Sequence, residues 1–275
     1  MKDLLHEIKI LMMLALIMAG IISCSHELKE VDEAQVGFTA TLPTDTPTRS
    51  FGNAEHVNTL VVGIFSNGHE IDRKTFPING TSVDVQLSLA KNQTYSFVFW
   101  AYDSSLNIYN IDDLTSIRMN TLSNPITFSQ AESFDAFYAA KNNITLEGDC
   151  SYSFELVRPL AQINVGTSGK VMQAAFTAKS APDTFYPFTN TVSGATDYTW
   201  NFSETTTETF SVSGTEYNYL AMGYVFAPAI ITEISAVLTL TEGNTSKTMQ
   251  FPEVEIKAND RSNIAGNITA PKHNN

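Results

Sequence analysis

From residue 35 onward this chain alternates apolar and polar side chains with a period of two, in one segment after another. Over residues 35–42, Val36, Phe38, Ala40 and Leu42 share one face; over 83–89, Val83, Val85, Leu87 and Leu89 do. Successive side chains of a strand point to opposite faces, so this pattern buries one side of a strand and leaves a helix no apolar stripe. Pro43 and Pro47 close the first segment, because neither can donate to a ladder. Further candidate strands lie at residues 59–65, 95–102, 152–158, 160–165, 174–178, 217–227, 236–241, 248–251 and 262–270. Turn signals separate several of them, such as Ser66-Asn67-Gly68 and Glu242-Gly243-Asn244. Residues 103–150 are less regular, and 135–141 reads as a loop or short helical turn. Many short strands punctuated by turns pack as sandwiches. The expected fold is all-β, with two β-sandwich domains in tandem at residues 57–150 and 151–275.

The first 23 residues read as a signal peptide. Lys2 and Lys9 precede an uninterrupted apolar run of eleven residues, 10–20. That is too short to cross a hydrocarbon core of ~30 Å at ~1.5 Å per residue, and it suits the core of a secretory signal. The run ends in Ile21-Ile22-Ser23-Cys24, a thiol straight after a small residue, so Cys24 is the expected point of lipid attachment. With Cys24 acylated, Cys150 has no intrachain partner and reads as a small structural side chain. Residues 24–56 read as a tether holding the first strand and a candidate processing loop. Residues 25–33 are polar and acidic; residues 44–50 form an exposed, proline-bearing loop with a single basic residue, Arg49, followed by Ser50. Such loops are preferred sites of proteolysis.

The chain carries 16 Lys+Arg against 29 Asp+Glu, with the positives scattered singly. Phosphate backbones are bound by clustered cations, so a nucleic-acid partner is excluded. No Gly-x-Ser-x-Gly, His-Glu-x-x-His or Cys-x-x-Cys spacing occurs. Residues 166–170 faintly resemble a phosphate loop, but Val171 stands where a magnesium-binding hydroxyl is needed, and a glycine-rich turn is the simpler reading. No catalytic residue, metal or cofactor is expected, and the chain is not read as an enzyme.

Four pieces of the sequence go together: the Cys24 lipobox, Phe134-Asp135-Ala136-Phe137-Tyr138-Ala139, Arg158-Pro159-Leu160-Ala161-Gln162-Ile163, and Arg261-Ser262-Asn263-Ile264-Ala265-Gly266-Asn267. Together they resemble the fimbrillin-like lipoproteins of Bacteroides-type bacteria, the subunits and anchors of type V pili. The resemblance implies two β-sandwiches and a stalk, tip or anchor subunit at the cell surface or in a fimbrium, tied to the outer membrane by its N-terminal lipid. It also implies that a trypsin-like protease cuts between Arg49 and Ser50. The strand bearing Val36, Phe38, Ala40 and Leu42 is then displaced, and the groove accepts a strand from another subunit. The matching donor is the C-terminal segment, with Ile264 and Ile268 as its apolar teeth. Partners would be other fimbrial subunits, joined by β-strand addition, together with host or bacterial surface ligands. The alternative is an outer-membrane surface lipoprotein that binds glycans on exposed Trp100, Tyr102 or Trp200.

Overall fold

In the computed structural model, which describes residues 32–43, 52–122 and 125–269, the alternating segments are strands. In chain order they are β1 (Glu33–Thr41), β2 (Thr59–Ser66), β3 (His69–Pro77), β4 (Ser82–Ala90), β5 (Thr94–Tyr102), β6 (Tyr109–Asn110) and β7 (Ile117–Met119). A one-turn helix α1 (Phe128–Glu132) precedes β8 (Phe137–Thr145), β9 (Cys150–Glu155), β10 (Leu160–Thr167), β11 (Gln173–Ala181), β12 (Thr184–Tyr186) and β13 (Thr191–Ser193). The remainder are β14 (Thr196–Asn201), β15 (Thr209–Val212), β16 (Thr215–Phe226), β17 (Thr232–Glu242), β18 (Thr245–Ile256) and β19 (Arg261–Gly266). The fold is all-β.

Five sheets result, with strand orders β4-β1-β9, β3-β2-β5-β8, β13-β12-β7-β6, β15-β16-β10-β19 and β14-β11-β17-β18. One apolar core lies between the first two: Val36, Phe38, Val85 and Leu87 meet Leu60, Val62, Phe97 and Phe99. The other face of β2 and β5 sends Val61, Val98 and Trp100 into a second core, shared with Ile163, Phe176, Phe185, Leu238 and others. β5 is therefore buried on both faces, which is why its sequence is a continuous aromatic run and does not alternate.

Two local outcomes differ from the sequence reading. Residues 137–141 belong to strand β8 and are not a helical turn, because the open edge of β5 pairs with them, Phe99 opposite Ala139 and Trp100 opposite Tyr138. Tertiary pairing overrides the weak helical preference of two alanines. The short helix falls just before, closed by a capping box in which Thr127 and Gln130 satisfy each other's backbone N–H. Secondly, β9, expected to open the C-terminal block, pairs instead with β1 in the N-terminal sheet.

Candidate functional site

The strand read as displaceable occupies the middle of its sheet. β1 runs antiparallel to β4, from Glu33 opposite Ala90 to Thr41 opposite Ser82. On its other side it runs parallel to β9, from Val36 opposite Cys150 to Thr41 opposite Glu155. Val36, Phe38, Ala40 and Leu42 are all at most 5% exposed, with Leu42 one residue beyond the strand and donating its N–H to the Thr81 carbonyl at 2.8 Å. The Phe38 ring sits among four others, its centroid 4.9 Å from Phe97, 5.0 Å from Phe99, 5.5 Å from Tyr152 and 6.2 Å from Phe154. At the rim, Asp149 accepts from the Gln35 backbone N–H at 2.9 Å and Asp84 from the Thr39 hydroxyl at 2.7 Å. Cys150 carries a free thiol, half-buried where β9 faces Val36.

Arg49, Ser50 and Cys24 lie outside the described residues. The chain is described again from Gly52, and there a second arrangement appears. Gly52 donates its N–H to Glu132 Oε2 at 2.5 Å, and its carbonyl accepts from Arg158 Nη2 at 3.0 Å and Arg261 Nη2 at 3.3 Å. Arg158 also grips Asp135 with both arms, Nε to Oδ1 at 2.6 Å and Nη2 to Oδ2 at 2.9 Å, over the Phe137 ring. Glu132 accepts in addition from the Tyr224 hydroxyl at 2.8 Å. Glu132, Asp135 and Arg158 are 4%, 1% and 8% exposed.

Local structure places each of these groups. α1 ends on Glu132. Tyr138 and Val157 exchange backbone hydrogen bonds of 2.9 Å in both directions, which sets Asp135 and Arg158 side by side. The parallel β10–β19 ladder puts Arg261 opposite Gln162. Gly52 is required at its own position. It has φ +77°, and a Cβ there would lie 2.5 Å from Arg261 Nη2 and 2.7 Å from Gln162 Oε1.

Sequence reasoning did not find this cluster. Its visible sign is that Asp135 and Arg158 are opposite charges set inside apolar runs, and buried charges persist only when paired.

Burial pushes the Glu132 carboxyl up to about 7 from 4.5, with the Gly52 N–H, Tyr224 and Arg261 pulling it down and Asp135 adding to the rise. Burial works against the charge of Arg158, but Asp135 outweighs it and holds the guanidinium above its usual range. Because folding raises the Glu132 value, the folded chain binds more protons than the unfolded chain between these limits. Its contribution is therefore whole below about pH 4.5 and is lost as pH rises through 7. At about 1.4 kcal/mol per unit, up to about 3 kcal/mol is at stake. The expected result is that Glu132 contributes a fall in wild-type stability between about pH 4.5 and pH 7, and that Glu132→Gln removes this part of the slope. An unchanged slope in Glu132→Gln denaturation curves would contradict the assignment.

The two indole platforms of the glycan alternative are not platforms. Trp100 is 0% exposed, packed among Tyr109, Phe185 and Phe226, and Trp200 is 1% exposed among Phe134, Phe176 and Tyr198. Trp200 lies flat on Gly223, where a Cβ would come within 2.7 Å of its ring. Tyr102 is half-buried. The two indoles fill the second core, and Tyr102 packs against it. The candidate donor is already housed at home: Ile264 stands opposite Val165 on the edge strand β19, and Ile268, 6% exposed, exchanges hydrogen bonds with the Thr167 hydroxyl. Among the described residues no three His, Cys, Asp or Glu side chains are grouped to hold a metal ion.

Similar folds occur among solved structures. An adhesin candidate from Bacteroides thetaiotaomicron is 15% identical, with a TM-score of 0.50 and 82% of this chain and 81% of that one covered. A second, from Bacteroides ovatus, is 10% identical, with a TM-score of 0.50 and coverage of 83% and 79%. The tip fimbrial protein Mfa3 from Porphyromonas gingivalis is 12% identical, with a TM-score of 0.46 and coverage of 88% and 97%. No curated protein matches the chain. Residues 28–274 match a family of unknown function (DUF6562).

Proposed function

We propose, for a chain that belongs to the family of unknown function DUF6562, a role as a fimbrial or adhesin subunit at the cell surface that assembles by strand exchange. The observation that carries this reading is the placement of β1 in the middle of a three-stranded sheet, paired on both sides. Neighbouring strands lie about 4.8 Å apart, so withdrawing a central strand leaves two facing edges about two spacings apart, a slot for one strand. Its floor would be the Phe97 and Phe99 rings of β5, flanked by the Tyr152 and Phe154 rings of β9, which together hold Phe38. Each large apolar side chain that leaves gives up about 1.5–3 kcal/mol of burial, which an incoming strand recovers along with two ladders of main-chain bonds.

Cleavage after Arg49 releases β1, and lipid on Cys24 holds the precursor at the outer membrane beforehand. The proposed donor, with Ile264 and Ile268, lies at and just beyond β19, an edge strand paired with β10 alone. The donor is the segment from Asn263 onward, which can leave this edge without dividing the sheet while Arg261 stays on Gly52, and the burial it gives up is regained in the slot. Under this reading the two sandwiches are a pilus module, divided after β9 because β9 forms one wall of that slot. Partners are other subunits and surface ligands.

Intact mass and N-terminal sequencing of the protein from its native envelope test the reading. A chain beginning at Ser50 is the expected result. A population beginning solely at acylated Cys24 would overturn the exchange reading in favour of a permanent tether.

A further inference from the structure

Three of the sequence fragments that carry the resemblance each contribute to one place: Asp135, then Arg158 with Gln162, then Arg261. Arg158 and Arg261 converge, together with Glu132, on the backbone of Gly52, while Asp135 braces Arg158 and Gln162 crowds the glycine's Cα side. Both polar groups of a single glycine are taken by ionisable side chains, two of which, Glu132 and Arg158, are more than nine-tenths buried. Desolvated charges are costly unless each is partnered, so a surface loop is rarely anchored this way. Among the described residues, no hydrogen bond of Glu132, Asp135 or Arg158 reaches β1. Their partners are Asp135 on the segment after α1, Tyr224 on β16 and Asn259 before β19, all downstream of Gly52. Gly52 itself stands three residues beyond Arg49 in the sequence.

We propose that Glu132, Arg158 and Arg261, braced by Asp135, form a clamp on Gly52 that seats the chain downstream of the processing loop independently of β1. The clamp rests on the scission reading for its purpose: cutting after Arg49 then frees the β1 side alone, and the new terminus cannot peel β2 out of its sheet. The slot vacated by β1 keeps its floor, since Phe97 and Phe99 stand on β5, which β2 supports.

Hydrogen exchange read by mass spectrometry on the full chain, before and after brief trypsin treatment, tests this. The informative peptide covers residues 50–58, in which the Gly52 amide is retained, compared in the wild type, Glu132→Ala and Glu132→Gln. Glutamine keeps an oxygen for the Gly52 N–H and a polar end for Tyr224, so it should rescue. In the wild type, protection of this peptide should be the same in cut and uncut chains. In Glu132→Ala it should exchange about tenfold faster, the scale expected on losing a buried hydrogen bond to a charged group, with β10 and β16 still protected. Loss of protection in the cut wild type would overturn the clamp, as would equal exchange in wild type and Glu132→Ala. If trypsin leaves Arg49 intact, the scission reading fails by itself, and the three uncut chains still decide whether Gly52 is held. Should Glu132→Ala not fold, Gly52→Ala reads out the same peptide, because its methyl group collides with Arg261 and Gln162.

Discussion

Replacing Phe38 by aspartate is expected to unfold the N-terminal sheets, while aspartate at Gln35, on the exposed face of the same strand, should be tolerated within about 1 kcal/mol. The contrast follows from one period of two. Gln35 points to solvent and hydrogen-bonds Ser88 at 2.9 Å, whereas Phe38 is 1% exposed and surrounded by four rings. Truncating a buried Phe costs about 3–5 kcal/mol through lost transfer energy and an unfilled cavity. A carboxylate adds the cost of burying a charge among those apolar rings. Against a total of about 5–15 kcal/mol for a typical domain, that is enough to remove the folded state. Urea midpoints for Phe38→Ala, Phe38→Asp and Gln35→Asp measure it. A Phe38→Asp chain as stable as Gln35→Asp would mean β1 contributes no core. Phe38→Ala should also release β1 more readily after cutting at Arg49, since the same ring sets the energy of withdrawal.

How much of this was legible in the sequence depends on whether an element is buried on one side. β1 and β4 are, and residues 35–42 and 83–89 anticipate them to within two residues at either end. The β17–β18 hairpin announced itself through Gly243, which adopts φ +58° at the turn. β3 left no such mark. It is an edge strand that runs His-Glu-Ile-Asp-Arg-Lys-Thr-Phe-Pro with no residue fully buried, so no face needed to be apolar. Residues 135–141 read as a loop or short helical turn because the strand state of β8 depends on the free edge of β5, a partner about forty residues away in sequence.

The clamp was illegible for a related reason. Arg261 and Gly52 are separated by 209 positions and meet only because β19 lies parallel to β10. Charge within an apolar run says that a residue will be paired or exposed; it does not say with what. Trp100 and Trp200 show the converse, since aromatic residues on strands are compatible with a stacking platform or a core until the second sheet is in place. Here the packing of Phe185, Phe226 and Phe176 decides for the core.

Arg158→Ala is expected to be the second severe substitution, costing about 3–5 kcal/mol, the range for breaking a buried ion pair by removing one partner. Asp135 is 1% exposed and would keep a carboxylate with neither of its two guanidinium hydrogen bonds. Gly52 would lose one of its two carbonyl partners at the same time. Replacing the pair by apolar groups of similar length, Arg158→Met with Asp135→Leu, should cost less than Arg158→Ala alone, because no charge is left stranded. A double-mutant cycle in urea gives the coupling, and effects that simply add would show that the two residues are not partners in the folded chain. The double variant also separates two roles of the arginine. Its charge balance with Asp135 holds the fold, and its remaining N–H holds Gly52. A double variant that regains stability while the segment from Gly52 still exchanges quickly would assign the second role to Arg158 directly, since nothing in the Met–Leu pair can donate to that carbonyl.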